Sequence, residues 1–520
     1  MRSKDIDHSS LNRLERAMEG NQQETLSRAL ENAVLGKFAS ANVRDTLMGL
    51  SPEVVTHQHK GRDEVMALLQ SKANVVAIWG PPGTGKTTLM VDWLKTIFKQ
   101  GLETQWPRIL ITAPTHVAVD NLLSRLRKEV PWLEEEIVRY GSADRIEGTP
   151  IETRWQPNLL KSVRGEGDEE ENNGELRRDW LKLLDEPSGY SSASRWLLGP
   201  RKIHAVTCVG MARQDYALSR SSFDIAIIDE AGKAFGAELL LPAAVAHKVV
   251  LVGDHNQLPP TVTSEMLSEE VGYRLPLKEV EALLKENMFQ QWFDQLPAGN
   301  KGMLTVQHRM DEHIGQLVSR LFYDDQLQSS RHQPGWTLTR KRTLFLDFSE
   351  VTSYKHKKVG ASKSSVNGTE RAALLVLIRQ LAKRKEAQAF KFLIICPYEA
   401  QKESIKDALA QVNLGFSCAI TTVDAVQGDE ADIVILLFTR SSGPVEFLLD
   451  RNRINVALSR AREAVIILGH LQCLTRAGQG PVAELITLGT SLQTLGHSVI
   501  DPTLGFNKSI GKAVFPDWRE

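Results

Sequence analysis

Short runs of apolar residues alternate with amphipathic stretches along most of this chain. The runs of the first half are Val75–Trp79, Ile109–Thr112, Ile225–Ile228 and Val249–Val252. The runs of the second half are Leu344–Phe348, Phe392–Ile395, Ile433–Phe438 and Ala464–Leu468. Continuous apolar runs of this length, separated by helix-like segments, are typical of strands buried on both faces of a parallel sheet. Two series of such units predict an α/β fold with two doubly wound domains, at residues 61–300 and 301–520.

Two other segments have the period of a helix. After Lys86, two i,i+4 rows lie side by side, and they consist of Leu89, Trp93 and Ile97 and of Met90, Leu94 and Phe98. This spacing predicts an amphipathic helix directly after the first strand. The stretch from Leu26 to Leu50 is also mostly helical in pattern. We therefore expect residues 1–60 to form a small helical segment that either braces the first domain or binds a partner.

Two charged segments interrupt the alternation. Gly165–Glu175 is acidic and contains glycine, which predicts a solvated loop within an insertion of the first domain at about 142–202. Its charge would repel a phosphate backbone. Tyr354–Asn367 is basic and loop-like. Such a run is either a solvated surface or a segment that follows phosphates, and the sequence leaves both interpretations open.

Composition narrows the class of protein only a little. The chain has 520 residues, enough for several domains, and its net charge of −1 means that a nucleic-acid site would need local positive charge. Its four cysteines form no CxxC pair, which argues against zinc modules and cysteine-ligated iron–sulfur clusters. Apolar stretches of membrane-spanning length and the apolar core of a signal peptide are both missing. We expect a soluble intracellular protein of the cytoplasm or nucleus.

A phosphate-loop motif follows the first predicted strand. The pattern GxxxxGK[ST] is matched in full by Gly80, Pro81, Pro82, Gly83, Thr84, Gly85, Lys86 and Thr87, and Thr88 comes next. Glycines allow backbone N–H groups to turn towards phosphates, Lys86 supplies positive charge, and the Thr87 hydroxyl can ligate Mg²⁺. A chance glycine-rich turn is the alternative, but the flanking strand and helix fit the motif. The sequence therefore predicts a site for ATP and Mg²⁺.

An acidic pair ends a second apolar run. Asp229 and Glu230 follow the strand-like segment Phe223–Ile228. Asp229 is placed to hold Mg²⁺, and Glu230 is placed to accept a proton from the attacking water, as in a nucleotide hydrolase. The alternative is a pair of helix-capping acids, because Asp and Glu favour first turns. After a phosphate loop we favour the catalytic interpretation.

Seven further motifs occur in a characteristic order. They are Ala113–Asp120 (APTHVAVD), Thr207–Gly210 (TCVG), Val249–Thr261 (VVLVGDHNQLPPT), Gln307–Met310 (QHRM), Pro397–Gln401 (PYEAQ), Val423–Glu430 (VDAVQGDE) and Asn455–Arg462 (NVALSRAR). Together with the phosphate loop, this series resembles superfamily 1 helicases of the Upf1-like, 5′→3′ branch. The resemblance extends from Gly80 to Arg462. It implies two tandem RecA-like domains with ATP bound in the cleft between them.

The resemblance also implies roles for individual residues of the ATP site. Gln257 would sense the γ-phosphate, and Arg309 and Arg460 would act as arginine fingers beside the catalytic Lys86 and Glu230. For an isolated arginine the alternative is an ordinary surface ion pair. Further nucleotide contacts are implied for His308, Gln427, Gly428 and Glu430, of which Glu430 would hold the ribose.

A second set of implied contacts concerns single-stranded nucleic acid, DNA or RNA. It consists of Pro114, Thr115, Thr207, Thr422 and Val423. Small hydroxyl and apolar side chains at strand–helix junctions suit contact with a backbone rather than with bases. Helix capping is the alternative for Thr115 and Thr422.

The chain departs from the family pattern in three places. Arg62 or Asp63 stands where the family usually has an adenine-recognising glutamine, and His308 replaces a tyrosine. The residues before Gly80 are too few for the family's β-barrel accessory domain. We expect a monomeric helicase or translocase that moves 5′→3′. The alternative is a nucleotide-switched module that hydrolyses ATP while binding nucleic acid or a regulatory protein, without unwinding duplex.

Overall fold

The computed structural model of the protein describes most of the chain after residue 57. The described residues are 58–100, 106–159, 198–213, 218, 222–262, 278, 281, 284–332, 335–360, 364–426, 430–443, 445, 450–475, 480–491 and 495–519. They divide into two compact units. Unit 1 comprises the described parts of Met1–Gly80, Gly85–His255 and Pro259–Leu304. Unit 2 comprises those of Pro81–Thr84, Asn256–Leu258 and Thr305–Glu520.

Unit 1 contains one sheet of eight parallel strands in the order β1-β8-β2-β7-β6-β3-β5-β4. These strands are β1 (His59–Lys60), β2 (Val75–Trp79), β3 (Ile109–Ala113), β4 (Ile137–Arg139), β5 (Ile203–Thr207), β6 (Phe223–Ile228), β7 (Ala246–Gly253) and β8 (Lys301–Met303). Among the described residues of this unit, the α-helices are α1 (Arg62–Gln70), α2 (Lys86–Lys99), α3 (His116–Glu129), α4 (Ala143–Ile146), α5 (Gly236–Ala243) and α6 (Met288–Gln295).

Both faces of this sheet are buried, as the continuous apolar runs predict. Val76 and Ile78 of β2 share one core cluster with residues of α1, α2 and α3. Val75 and Ala77 point to the other face and share a cluster with residues of α5 and α6. Successive side chains of a strand point to opposite faces, so one four-residue apolar run serves both cores.

Unit 2 contains a six-stranded parallel sheet in the order β15-β14-β16-β17-β11-β18. Its strands are β11 (Thr343–Asp347), β14 (Phe392–Cys396), β15 (Cys418–Thr422), β16 (Ala431–Leu437), β17 (Ala461–Gly469) and β18 (Leu495–Val499). Two small pairs accompany it, namely the parallel β9 (Val306–Gln307) with β10 (Gln328–Ser329), and the antiparallel β12 (His356–Lys358) with β13 (Ser365–Asn367).

The α-helices of unit 2 precede, connect and follow the strands of this sheet along the chain. They are α7 (Glu312–Phe322), α8 (Gly368–Ala382), α9 (Glu399–Leu409), α10 (Arg451–Leu458), α11 (Leu471–Leu474), α12 (Pro481–Ser491) and α13 (Gly505–Val514). Among the helices that the structure describes, none is long and apolar enough to cross a membrane.

The structure confirms the predicted fold class, a pair of parallel α/β units of the RecA-like kind. All eight apolar runs form strands of the two parallel sheets. The predicted helix after Lys86 is α2, and both of its apolar rows face the core, with Ile97 only partly buried. The expectation that Tyr354–Asn367 is loop-like is wrong at its two ends, because β12 and β13 pair there as a hairpin.

Three predicted segments cannot be compared with the structure in full. The N-terminal helical segment (apart from residues 58–60) and the acidic loop Gly165–Glu175 lie outside the described residues. The same is true of residues 160–197 of the predicted insertion. The described part of that insertion includes the short helix α4 and ends directly before β5.

Candidate nucleotide and nucleic-acid sites

The strand order of unit 1 gathers the predicted phosphate-binding and acidic residues on three adjacent strands. The phosphate loop follows β2, Asp254 follows β7, and Asp229 follows β6. Because β2, β7 and β6 are parallel neighbours, their carboxyl ends meet at one edge of the sheet. Ligands of doubly wound proteins bind at this edge.

The phosphate loop has the backbone shape that its glycines predict. Gly83 and Gly85 have φ values of +73° and +79°, in the left-handed region that other residues rarely adopt. The Lys86 Nζ donates to the Gly80 carbonyl at 2.7 Å. A Cβ atom on Gly80 would lie 2.3 Å from the Lys86 Cγ, so only glycine leaves space for this side chain. The loop therefore folds around the lysine, and α2 starts at this residue.

The remaining loop residues support this turn and the start of α2. The Thr84 hydroxyl donates to the Pro81 carbonyl at 2.8 Å, so this threonine stabilises the loop from within. Thr87 and Thr88 occupy the first turn of α2, where the N–H groups of a helix have no partner within the helix and attract anions.

Asp229 is a buried carboxylate beside a second acid. Its Oδ1 accepts a hydrogen bond from the Glu230 N–H at 2.8 Å. Burial and the neighbouring Glu230 raise the pKa of Asp229 to about 6, and the charge of Lys86 opposes this rise. A bound cation would favour the ionised form, so the position of Asp229 suits a metal ligand.

Glu230 has an unusual backbone conformation. Its φ is +52°, in the left-handed region, and it precedes a 3-10 turn over Ala231–Lys233. Its carboxylate lies 3.7 Å from the Lys233 ammonium group. Non-glycine residues in this region cost about 1–3 kcal/mol and often occur at functional sites. The 3-10 turn follows Glu230 directly, but the Glu230 side chain forms no capping hydrogen bond to it. The catalytic role stays a prediction.

The loops after β6 and β7 approach each other closely at two glycines. A Cβ atom on Gly232 would lie 2.5 Å from the Asp254 carbonyl oxygen, and one on Gly253 would lie 2.6 Å from the Gly232 nitrogen. The Trp79 indole N–H donates to the Asp254 carboxylate at 3.0 Å, which links β2 to β7. Sequence reasoning missed Gly232 and Trp79, because their importance depends on which strands are neighbours.

In unit 2, Arg309 and Glu430 form an ion pair. Arg309 Nε lies 2.7 Å from Glu430 Oε2, and Arg462 pairs with the other oxygen of the same carboxylate. Partial burial raises the pKa of Glu430, but the two guanidinium groups outweigh it and the pKa lies below its ordinary value. Arg309 therefore forms an ion pair in this structure, as the alternative to the arginine-finger role describes. Glu430, for which a ribose contact is implied, contacts two arginines here.

Arg460 has a different environment. It is 5% exposed, which excludes a surface ion pair, and its Nη2 lies 3.5 Å from the Gln257 Oε1. Gln257 is 4% exposed and belongs to the same unit. The structure thus brings together two residues for which the resemblance implies related roles at the γ-phosphate.

The other predicted nucleotide contacts are only partly described. The His308 N–H donates to the Gly83 carbonyl at 2.9 Å, and both residues belong to unit 2. Its imidazole Nδ1 lies 2.6 Å from the Ser330 hydroxyl. Gln427 and Gly428 lie outside the described residues.

The predicted nucleic-acid residues of unit 1 follow the next strands along the sheet. Pro114 and Thr115 come after β3, and Thr207 ends β5, its parallel neighbour. Thr115 accepts a hydrogen bond from the Ala118 N–H at 3.3 Å and so caps α3, as the alternative predicts. Thr207 is buried and accepts from the Gly210 N–H at 3.2 Å. Nucleic-acid contact stays a prediction for all three.

Thr422 and Val423 occupy the corresponding position in unit 2. Thr422 ends β15, at one side of the sheet, and is half-buried, whereas Val423 is buried. The N–H groups of Ala425 and Val426 donate to the Thr422 carbonyl, so the Thr422 backbone forms this turn. In each unit, therefore, the predicted nucleic-acid residues lie at the carboxyl edge of a parallel sheet.

A phosphate loop and an acidic pair at the carboxyl edge of one parallel sheet define a P-loop nucleotide-binding protein. Comparison with known families agrees: one model described as an AAA domain matches residues 284–472, and another with the same description matches 59–163 and 158–265. The chain belongs to the Upf1-like group of superfamily 1 helicases.

Three relatives illustrate the extent of this similarity. The DNA-binding protein SMUBP-2 of Mesocricetus auratus is 28% identical over 442 residues, which cover 78% of this chain and 42% of the relative. The DNA replication ATP-dependent helicase/nuclease DNA2 of Bos taurus is 28% identical, covering 87% of this chain and 42% of the relative. The ATP-dependent helicase NAM7 of Saccharomyces cerevisiae is 30% identical, covering 77% and 40%. The chain thus spans less than half the length of each.

Proposed function

We propose that this protein is an ATP-dependent helicase or translocase, which hydrolyses ATP to move 5′→3′ along single-stranded DNA or RNA. The observation that carries the proposal is the strand order of unit 1. Its nucleotide residues follow β2, β7 and β6, and its nucleic-acid candidates follow β3 and β5, at the same edge of one sheet. The names of the relatives, two of which include ATP-dependent helicase, support the same activity.

ATP would bind at the phosphate loop with Mg²⁺. The space that Gly80 leaves for Lys86 and the start of α2 fit a phosphate group. The Thr87 hydroxyl and the buried Asp229 carboxylate fit a magnesium ion that also takes phosphate oxygens. When bound, the ion neutralises charge on the phosphates.

The protein's own residues would perform the remaining chemistry. Glu230 accepts a proton from the attacking water, and Gln257 responds to the γ-phosphate. Arg309 and Arg460 balance the charge on the transferred phosphoryl group. In this role Arg309 exchanges its ion pair with Glu430 for a phosphate oxygen, and Glu430 becomes available to a ribose hydroxyl. Further nucleotide contacts come from His308, Gln427 and Gly428.

The nucleic-acid track would lie along the carboxyl edges of the two sheets. In this proposal Pro114, Thr115 and Thr207 contact it in unit 1, and Thr422 and Val423 contact it in unit 2. These side chains suit a sequence-independent grip on the sugar–phosphate backbone. The protein acts as a monomer, and a regulatory protein partner is compatible with the same sites.

ATP hydrolysis is the first test of this function. The purified protein is assayed alone, with single-stranded DNA and with single-stranded RNA, and Glu230→Gln serves as the control. We expect hydrolysis that at least one polymer stimulates and that the variant loses while still binding ATP. Absence of ATP hydrolysis under all three conditions would refute the proposed helicase or translocase activity.

Duplex unwinding separates the proposal from its alternative. A nucleotide-switched binding module would hydrolyse ATP and leave a duplex with a single-stranded tail paired. A helicase should displace the complementary strand of a 5′-tailed duplex and act poorly on a 3′-tailed one. Equal activity on both substrates would contradict the proposed direction.

A further inference from the structure

Residues 354–360 and 364–367, the described part of the basic segment and here called the basic hairpin, are anchored by a buried carboxylate. The Tyr354 hydroxyl donates to Glu370 at 2.6 Å. At the other end of the hairpin, the Asn367 N–H donates to the Gln401 side chain at 2.9 Å, and Gln401 in turn donates to Glu370 at 2.9 Å. Glu370 and Gln401 are both fully buried. The two ends of the hairpin are therefore held in place by one polar network.

The same carboxylate fixes the loop after β16. The Thr439 N–H and hydroxyl donate to Glu370 at 2.7 and 2.8 Å, and the Phe438 N–H donates at 3.2 Å. These bonds stabilise Thr439 at a φ of +61°, which is unusual for a β-branched residue. Because Thr439 is held in this conformation, the position of the next residue, Arg440, is set as well.

Arg440 contacts the basic hairpin through His356. The guanidinium Nη1 lies 3.0 Å from the His356 Nε2, and the His356 Nδ1 lies 3.0 Å from the Ser441 hydroxyl. Arginine can only donate, so His356 Nε2 accepts and the imidazole is neutral in this contact. Burial and the charge of Arg440 lower the pKa of His356, which agrees with a neutral ring. The contact therefore positions Arg440 without cancelling its charge.

Three lysines lie beside His356 in the chain and add positive charge to the basic hairpin. Lys355, Lys357 and Lys358 are all exposed. Within the described part of the chain, no carboxylate forms an ion pair with any of them. A positive surface of this kind attracts an anionic partner more strongly than lysines that alternate with acids.

The sheet topology places this surface beside the predicted nucleic-acid residues. Strands β15, β14 and β16 are parallel neighbours, so Thr422 at the end of β15 lies at the same edge as Tyr398 and Arg440, which follow β14 and β16. The Arg440 guanidinium lies 5.9 Å from the centre of the Tyr398 ring. The edge that begins with Thr422 and Val423 thus continues across β14 to Arg440 and the basic hairpin.

We propose that the basic hairpin and Arg440 form an additional phosphate-binding surface of unit 2 for single-stranded nucleic acid. The inference rests on the proposed function and extends its track beyond the residues that the family motifs indicate. Lysine and arginine contacts with phosphates supply much of the affinity of nucleic-acid-binding proteins and do not read sequence. The surface should bind DNA and RNA alike, because a phosphate contact does not distinguish the two sugars.

The test compares two lysine pairs that carry the same charge at opposite edges of the sheet. Lys357→Ala/Lys358→Ala removes charge from the basic hairpin. Lys383→Ala/Lys385→Ala is the matched control, because both lysines are exposed and lie between α8 and β14, at the amino edge. The probes are a fluorescein-labelled oligothymidylate and an oligouridylate of equal length, titrated by fluorescence anisotropy at several salt concentrations.

The expected result is a change in both affinity and salt dependence. Each phosphate contact with a single strand contributes about 0.7 to the slope of log affinity against log salt, so two lost contacts reduce it by about 1.4. The ratio of the wild-type affinity to the affinity of the hairpin variant should then fall about sevenfold between about 50 and about 200 mM salt. The oligonucleotide concentration for half-maximal stimulation of ATP hydrolysis should rise in parallel. Lys357→Arg/Lys358→Arg keeps the charge and should show the wild-type affinity, salt dependence and half-maximal concentration.

Two outcomes would overturn the inference, and they differ. If the wild-type protein neither binds nor responds to either oligonucleotide, the proposed function fails and the inference fails with it. If the wild-type protein binds but the hairpin variant matches the control variant in affinity and slope, only the inference fails. In that case the hairpin is a solvated surface, or it binds an acidic protein instead.

Discussion

Asp229 offers a test that does not depend on catalysis. Its carboxylate is 6% exposed and lies beside Glu230, and its pKa rises from 3.8 to about 6 for these two reasons. Each pKa unit corresponds to about 1.4 kcal/mol, so in the folded protein the ionised form carries a penalty of up to about 3 kcal/mol at neutral pH. Asp229→Asn removes the charge and keeps an oxygen that can accept from the Glu230 N–H. The variant should therefore be more stable than the wild-type protein without nucleotide.

The pH dependence of this effect has a definite sign. The pKa of this acid is higher in the folded than in the unfolded protein, so folding favours its protonated form. The wild-type protein consequently loses stability as pH rises from about 4 to about 6, between the two pKa values, and the loss is constant above. The stability difference between Asp229→Asn and the wild-type protein should be small at about pH 4 and largest above about pH 6.

Urea denaturation with a metal chelator, followed by tryptophan fluorescence, measures this difference. Asp224→Asn is the control, because Asp224 is an exposed acid at the other end of β6. Glu230→Gln should recover a smaller part of the stability, since burial is the larger cause of the shift. A variant no more stable than the wild-type protein at neutral pH, or a difference independent of pH, would refute the assignment of Asp229 as a destabilised carboxylate.

Three further predictions concern packing and turnover. Gly232→Ala places a Cβ atom 2.5 Å from the Asp254 carbonyl oxygen, so it should cost about 1–3 kcal/mol of unfolding free energy and slow ATP hydrolysis. A variant with unchanged urea midpoint and turnover would contradict this close approach. Arg139→Gln breaks the ion pair between the fully buried Arg139 and the partly exposed Asp120, whose atoms lie 2.7 Å apart, and should destabilise unit 1 by about 3 kcal/mol. Arg460→Ala should reduce turnover by about 10³-fold or more, with little loss of ATP affinity in equilibrium titration. Full turnover would show that Arg460 is not an arginine finger.

Several features of this protein could be predicted from local sequence alone. The eight apolar runs are all strands because each is long enough to be buried on both faces of a sheet. The two apolar rows of α2 can be recognised in the sequence because a helix repeats its core contacts every three or four residues. The phosphate loop has its predicted shape because glycine permits the φ values of Gly83 and Gly85 whatever the surrounding fold.

Other features depend on residues that are distant in the chain. The edge strands β15 and β18 consist mostly of exposed and partly buried residues, and β1 has only two residues, so none of them shows a continuous apolar pattern. The burial of Glu370 could not be predicted, because its donors come from Tyr354, Gln401 and the loop at Thr439. A charged side chain is buried only where such partners converge.

The amino-acid sequence by itself therefore determined the α/β class, the phosphate loop and the acidic pair, because these depend on residues that are near neighbours in the chain. Only the tertiary structure decided the order of the strands, and with it which loops meet at one edge. That order brings Gly232 against Asp254, and the shared hydrogen bonds to the buried Glu370 bring Arg440 against His356. Contacts of this kind follow from the pairing of distant strands, and strand pairing leaves little trace in the local pattern of a chain.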